Sequence, residues 1–297
     1  MFVYLLTFLL LLFAANLCLL VRGIELTQAN LAVAKPGDVF TFDTELNYTF
    51  STSTHGTKDD PISIRGIGEN AIINGFNATL PLIYTVCMQV RHDYYILENF
   101  IVKECDKGVQ AYNASHGIIR NVIAENITTT FFQIRFHSSY WLVDSCIARY
   151  NRNYGSLENV GKYGEGFYIG SAYNNRCNNG QKGEMDETHH ITILNCLTID
   201  TINDGYDVKE GSTMIKYVNS VASWTGPSPG DETLGINGFY IRADKVSVVN
   251  NQQRYVYVKT SMLSFLLHFL HDTHDTHDTH YITHYTHYIG PAYWLHS

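Results

Sequence analysis

Short segments of alternating apolar and polar residues recur along this chain at intervals of about 22 to 25 residues, a solenoid's repeat length. One set comprises YILENFIVKE from Tyr95, GIIRNVIAEN from Gly117, YWLVDSCIAR from Tyr140, HITILNCLTI from His190, MIKYVNSVAS from Met214 and KVSVVNNQQR from Lys245. Each carries an amide near its middle, at Asn99, Asn121, Asn195, Asn219 and Asn250, with Ser145 in the third copy. A second set precedes each following copy: GVQAY at Gly108, FFQIR at Phe131, GFYIG at Gly166, GYDVK at Gly205 and GFYIR at Gly238. Alternation with period two is the strand signature. It predicts that Val109, Phe132, Phe167, Tyr206 and Phe239 share one side of a sheet with Ala111, Ile134, Ile169, Val208 and Ile241.

Two short strands per repeat, without a helical period, describe one coil of a single-stranded right-handed parallel β-helix, an all-β solenoid. Stacked coils lie ~4.8 Å apart, so an amide at one turn position can hydrogen-bond its equivalents above and below. A β-sandwich would call for hairpin turns and leaves the in-register Asn unexplained; a leucine-rich repeat lacks its consensus here. The expected organisation is an N-terminal cap and first coil over residues 24–60 and the β-helix over 61–251. Three insertions, Asn151 to Glu165, Tyr173 to Thr188 and Trp224 to Asn237, are rich in Gly, Pro and Asn. They are expected as loops flanking one strand row, the usual setting of a binding groove.

Composition adds a compartment. Residues 1–23 form an almost unbroken apolar run ending at Arg22 and Gly23, expected as a secretory signal peptide, with an uncleaved signal anchor as the alternative. Four N-x-S/T acceptors, at Asn47, Asn77, Asn113 and Asn126, suit a secreted glycoprotein. Without the leader, Cys87, Cys105, Cys146, Cys177 and Cys196 remain. Disulfides are expected between Cys87 and Cys105 and between Cys177 and Cys196, with buried thiols as the alternative at Cys146 and Cys196. The formal net charge is −8 and no stretch of the chain is rich in Lys and Arg. That argues against nucleic acid and, after signal cleavage, against a membrane surface as partner. A monomer is expected.

Two motifs then carry a resemblance. AKPGDVFTF at Ala34 is similar to the N-terminal cap and first coil of pectin-lyase-like β-helices, and GEGFYIGSA at Gly164 followed by NDGYDVKEGS at Asn203 resembles polysaccharide lyase family nine, the pectate-lyase type. The resemblance runs over roughly Leu31 to Asn251. It implies Ca²⁺ ligands in a D-D-G-x-D segment, matched here by Asn203, Asp204 and Asp207, with the first carboxylate replaced by an amide that brings one negative charge fewer. It also implies a lysine base farther along the chain, for which Lys245 is the nearest by order.

The strand register gives a separate reading. With Tyr206 and Val208 inward, Asp207 and Lys209 point outward. The Lys209 row then holds Arg135, Gly170 and Arg242, the Asp207 row holds Gln133, Tyr168 and Tyr240, and a third column holds Glu165, Asp204 and Asn237. This suits an acidic polysaccharide. Ca²⁺ on Glu165, Asp204 and Asp207 would bridge to a uronate carboxylate, a neutral Lys209 or Arg242 would take the C5 proton, and β-elimination would follow. Arg135 or Arg242 would clamp a carboxylate, with Tyr168 and Tyr240 as flat faces for sugar rings. Ordinary surface ion pairs and turn chemistry at Asp204-Gly205 explain the same residues without a function. A non-catalytic carbohydrate-binding β-helix, or a glycoside hydrolase using Glu165, Asp204 and Asp207, are the other functional readings.

The character of the chain changes after Asn251. Eight of the 14 histidines lie from His268 onward, in HDTHDTHDTHYITHYTHYIG and its flanks. Residues 252–297 are expected as a low-complexity tail, with Zn²⁺ or Cu²⁺ binding as the alternative.

Overall fold

The computed structural model describes residues 23–76, 85–151, 164–171, 186–225 and 238–256. The apolar leader, Asn77, the bulk of the three insertions with Cys177 and Asn237, and the His-rich tail lie outside them.

The chain winds into a parallel β-helix, of the right-handed kind that parallel crossovers adopt. Every named strand pair among the described residues is parallel, and the strands form a 15-stranded and a 7-stranded sheet. The larger sheet bends along the Asn row, as within the strand Tyr95–Lys103, whose alternating burial changes step at Asn99. The solenoid therefore has three faces. The ladder begins with Ile24–Glu25 against Val39–Phe42 and runs to Gln252–Val256, five residues past Asn251.

The bend depends on a backbone that few residues tolerate. Asn99, Asn121, Ser145, Asn195, Asn219 and Asn250 all adopt positive φ, between 49° and 63°. Asn reaches this left-handed region at low cost because its short polar side chain bonds locally. The Asn121 amide donates to Asn99 Oδ1 (3.0 Å) and Asn219 to Asn195 Oδ1 (3.4 Å). At the Ser145 copy Asp144 takes over as acceptor, from Asn195 at 3.3 Å and from Ser145 Oγ at 2.9 Å.

Inside, like residues stack on like. Phe132, Phe167, Tyr206 and Phe239 form a column of near-parallel rings at 4.8, 5.0 and 4.5 Å. The buried Tyr206 hydroxyl donates to the Val221 carbonyl at 3.2 Å, so its polar end is satisfied. Ala111, Ile134, Ile169, Val208 and Ile241 fill the neighbouring column. Both columns are those the alternation predicts. At the N-terminal end Leu31, on the short helix Gln28–Ala32, is fully buried in the same core cluster.

Cys87 and Cys105 form the expected disulfide, with Cα atoms 5.7 Å apart. Cys196 departs from its expected bridge: it is a buried free thiol beside Cys146, whose backbone N–H donates to Cys196 Sγ at 3.4 Å. Here the Cys196 sulfur acts as a small core group that accepts from the preceding coil, as Ser220 Oγ does for the Cys196 N–H.

Candidate functional site

The seven-stranded sheet turns its outward side chains into rows that run along the solenoid axis. One row reads Gln89, Gln110, Gln133, Tyr168, Asp207, Tyr240, each residue aligned with the next. Its first three members form an amide ladder: Gln89 Nε2 donates to Gln110 Oε1 at 2.7 Å, and Gln110 Nε2 to Gln133 Oε1. The adjacent row reads Arg135, Gly170, Lys209, Arg242, with backbone bonds from Gly170, Lys209 and Arg242 continuing the ladder. Thr130, Glu165 and Asp204 make the third. The three predicted rows are present over the described residues.

These rows converge on Asp207, which is 1% exposed. Its carboxylate accepts from the Lys209 ammonium in a close ion pair, and Arg242 Nη2 lies 3.3 Å from its Oδ1. Arg242 also reaches Glu210 Oε1 through Nη1 at 3.1 Å. Lys209 is itself buried, its Nζ 4.5 Å from the centre of the Tyr168 ring, while the Arg242 guanidinium sits 4.7 Å from that of Tyr240. A buried carboxylate between two cations is held by charge-assisted bonds that solvent barely screens. Gly170 makes the close packing possible. Its φ is +85°, and a Cβ there would meet Ser212 Oγ at 2.1 Å and Lys209 Cβ at 3.4 Å.

Glu165 lies one row over, buried, with Oε1 accepting from Asn203 Nδ2 at 3.2 Å and Oε2 within 3.4 Å of Thr130 Oγ1. Burial first, then the charge of Asp207, pushes its carboxyl up to about 7, with Lys209 pulling the other way.

Lys245 stands apart from this cluster. It belongs to the strand Asp244–Val249 of the larger sheet, exposed at a left-handed corner (φ 56°) in line with Met214, His190 and Tyr140. Arg135 is in the Lys209 row, two coils away, beyond Gly170. Tyr168, buried, and Tyr240, exposed, are in place, each with a cation over its ring.

Calcium is the metal the resemblance implies, and the described donors do not fit it. Asp207 is engaged by Lys209 and Arg242, and Asn203 turns its amide nitrogen towards Glu165. Among the described residues no three Asp, Glu, His or Cys side chains converge as ligands, whereas Ca²⁺ gathers six to eight oxygens.

The sequence reading missed Gln89 and Gln110, and offered Glu210 only as a surface ion-pair partner of Lys209, whereas it pairs with Arg242. The amides were detectable as the fourth residue of VCMQV and the third of GVQAY, the latter at the position Gln133 takes in FFQIR.

No family model and no curated protein matches the chain. Solved structures with a similar fold include an alginate lyase from Paenibacillus sp. str. FPU-7, at 21% identity and a TM-score of 0.61, covering 76% of this chain and 72% of that one. Another is pectate lyase Pel9A, at 18% identity and a TM-score of 0.54, covering 76% of this chain and 56% of that one. The chain thus spans little more than half the length of the pectate lyase. At these identities the likeness is one of fold, the fold of β-helical polysaccharide lyases.

Proposed function

We propose that this chain is a secreted polysaccharide lyase that cleaves a uronate-containing chain by β-elimination on the outward face of the seven-stranded sheet. The observation that carries the reading is the buried Asp207–Lys209–Arg242 cluster, set beside an outward row of amides and tyrosines. The two solved lyases of similar fold act, by their titles, on alginate and pectate, and both names denote uronate polymers. The apolar leader and the sequons are in keeping with an extracellular substrate.

The chemistry follows from the residues present. Arg242, half-buried, would exchange its contact with the partly exposed Glu210 for a uronate carboxylate, and neutralising that group makes the C5 proton more acidic. For Lys209 to act as the base, it first passes a proton to the Asp207 carboxylate it contacts. With the proton on Asp207, the Lys209 amine is neutral and takes the proton from C5. Electrons of the C5–H bond then form the C4–C5 double bond, the C4–O bond breaks, and the leaving oxygen picks up a proton. Glu165, a neighbour that holds a proton up to about pH 7, is positioned to supply one. No step here passes through calcium.

The test is the product. Incubation with polygalacturonate and with alginate should raise the absorbance of an unsaturated uronide, and EDTA should leave the rate unchanged. Reducing ends without that chromophore would replace the lyase by a hydrolase, and binding without either product would leave a carbohydrate-binding module.

A further inference from the structure

Among the described residues, arginines on the outer surface follow a rule with two exceptions. Arg65 pairs with Glu98, Arg120 with Asp144 and Arg149 with Glu125, each with its aligned neighbour on the adjacent strand of the larger sheet. Arg242 pairs with Asp207 and Glu210. Arg91 and Arg135 have no acidic partner among the described residues, and Arg135 Nε is buried without a hydrogen-bond partner. Both exceptions lie in one place. Arg91 follows Val90, which is aligned with Ala111, and Tyr112 is aligned with Arg135. The row of the active cluster therefore extends back as Arg91, Tyr112, Arg135, Gly170, Lys209, Arg242.

Tyr112 holds the two exceptions. Its ring centre is 5.4 Å from the Arg91 guanidinium and 5.9 Å from that of Arg135, and its other neighbour is the stacked ring of Phe136 at 4.5 Å. Ring contact orders the cations without cancelling their charge. Arg91, Arg135 and Lys209 occur in alternate coils, so they recur at roughly 10 Å, twice the strand spacing. An extended polyuronate with successive residues turned over presents same-side carboxylates at about every second sugar. The Gln89–Gln110–Gln133 ladder runs alongside, with amides suited to sugar hydroxyls.

We infer that Arg91 and Arg135 form an anion track that binds the carboxylates of a polyuronate outside the cleavage point, with the glycan lying along the solenoid axis towards the N-terminal coils. The inference rests on the proposed uronate specificity of the groove. Its ligand differs from what the cluster alone needs: a long acidic chain rather than a single uronate.

Affinity electrophoresis of the full chain through gels containing alginate or polygalacturonate, together with competition by defined oligouronates, tests it. Arg91→Gln and Arg135→Gln should each weaken retention about fivefold, and the double variant about twentyfold, with the loss shrinking as salt rises. Hexasaccharides should lose potency as competitors while trisaccharides keep it. Arg120→Gln, on the larger sheet, should migrate as the parent does, and far-ultraviolet circular dichroism should show all variants folded. If the parent cleaves polyuronate and the double variant is still retained equally, the track is wrong and the proposed activity stands. A parent that is neither retained nor active overturns both. Equal loss on hexa- and trisaccharides would place the arginines at the cleavage point and contradict the track.

Discussion

The two sheets of this solenoid carry charge in opposite ways. On the larger sheet, Arg65, Arg120 and Arg149 are each neutralised by a carboxylate on the next coil, and these pairs stand partly in solvent. On the seven-stranded sheet, one carboxylate and one lysine are buried together, and Arg91 and Arg135 have no counter-charge among the described residues. Both sheets are built of parallel strands. The difference teaches that cross-strand pairing is how the larger sheet settles its described arginines, and that the unbalanced face is the one on which the proposed ligand site lies.

The contrast can be broken most forcefully at Asp207. Asp207→Asn leaves the buried Lys209 without its carboxylate and Arg242 with Glu210 alone, and should cost about 3–5 kcal/mol in denaturant unfolding. A loss below about 1 kcal/mol would mean that the buried cluster is no more than another surface pair.

Glu165 sharpens the same point through pH. Its carboxyl rises from the ordinary 4.5 to about 7 in the folded chain. The native state therefore keeps a proton that the unfolded chain has already released. Stability contributed by that proton is complete below about pH 4.5 and declines as pH rises to about 7. Glu165→Gln should remove the decline and leave the variant more stable than the parent at pH 8, on the order of 2 kcal/mol. Thermal unfolding from pH 4 to 8 measures it, and parallel curves for parent and variant would refute it.

The smallest effect belongs to the balanced face. Arg120→Gln should change stability by no more than about 0.5 kcal/mol and leave turnover untouched. A substantial loss there would erase the distinction between the two sheets.

How far this was legible in the sequence depends on which interaction sets each feature. Alternation fixes the side on which a residue emerges, so the inner column of Phe132, Phe167, Tyr206 and Phe239 and the outer rows around Asp207 followed from spacing alone. The Asn corner followed because its conformation favours one residue type. Burial of Asp207 and Lys209 did not follow, because period two says which way a side chain points and not what lies over it. Lys245 looked like a base by chain order, yet three residues beyond Arg242 the chain has already turned a corner onto the other sheet. The Arg91–Arg135 relation was hidden because 44 residues separate partners that lie two coils apart. A solenoid makes neighbours of residues a whole repeat apart, and a single coil shows none of them.

The central claim is that the Asp207–Lys209–Arg242 cluster performs an elimination on a uronate chain. It is tested most directly by the rate at which unsaturated uronide forms from alginate or polygalacturonate with the parent and with Lys209→Met. The account predicts a steady rise for the parent and a rate at least about 100-fold lower for the variant, with the variant still retained by the substrate gel. An unchanged rate in a folded Lys209→Met chain would contradict it.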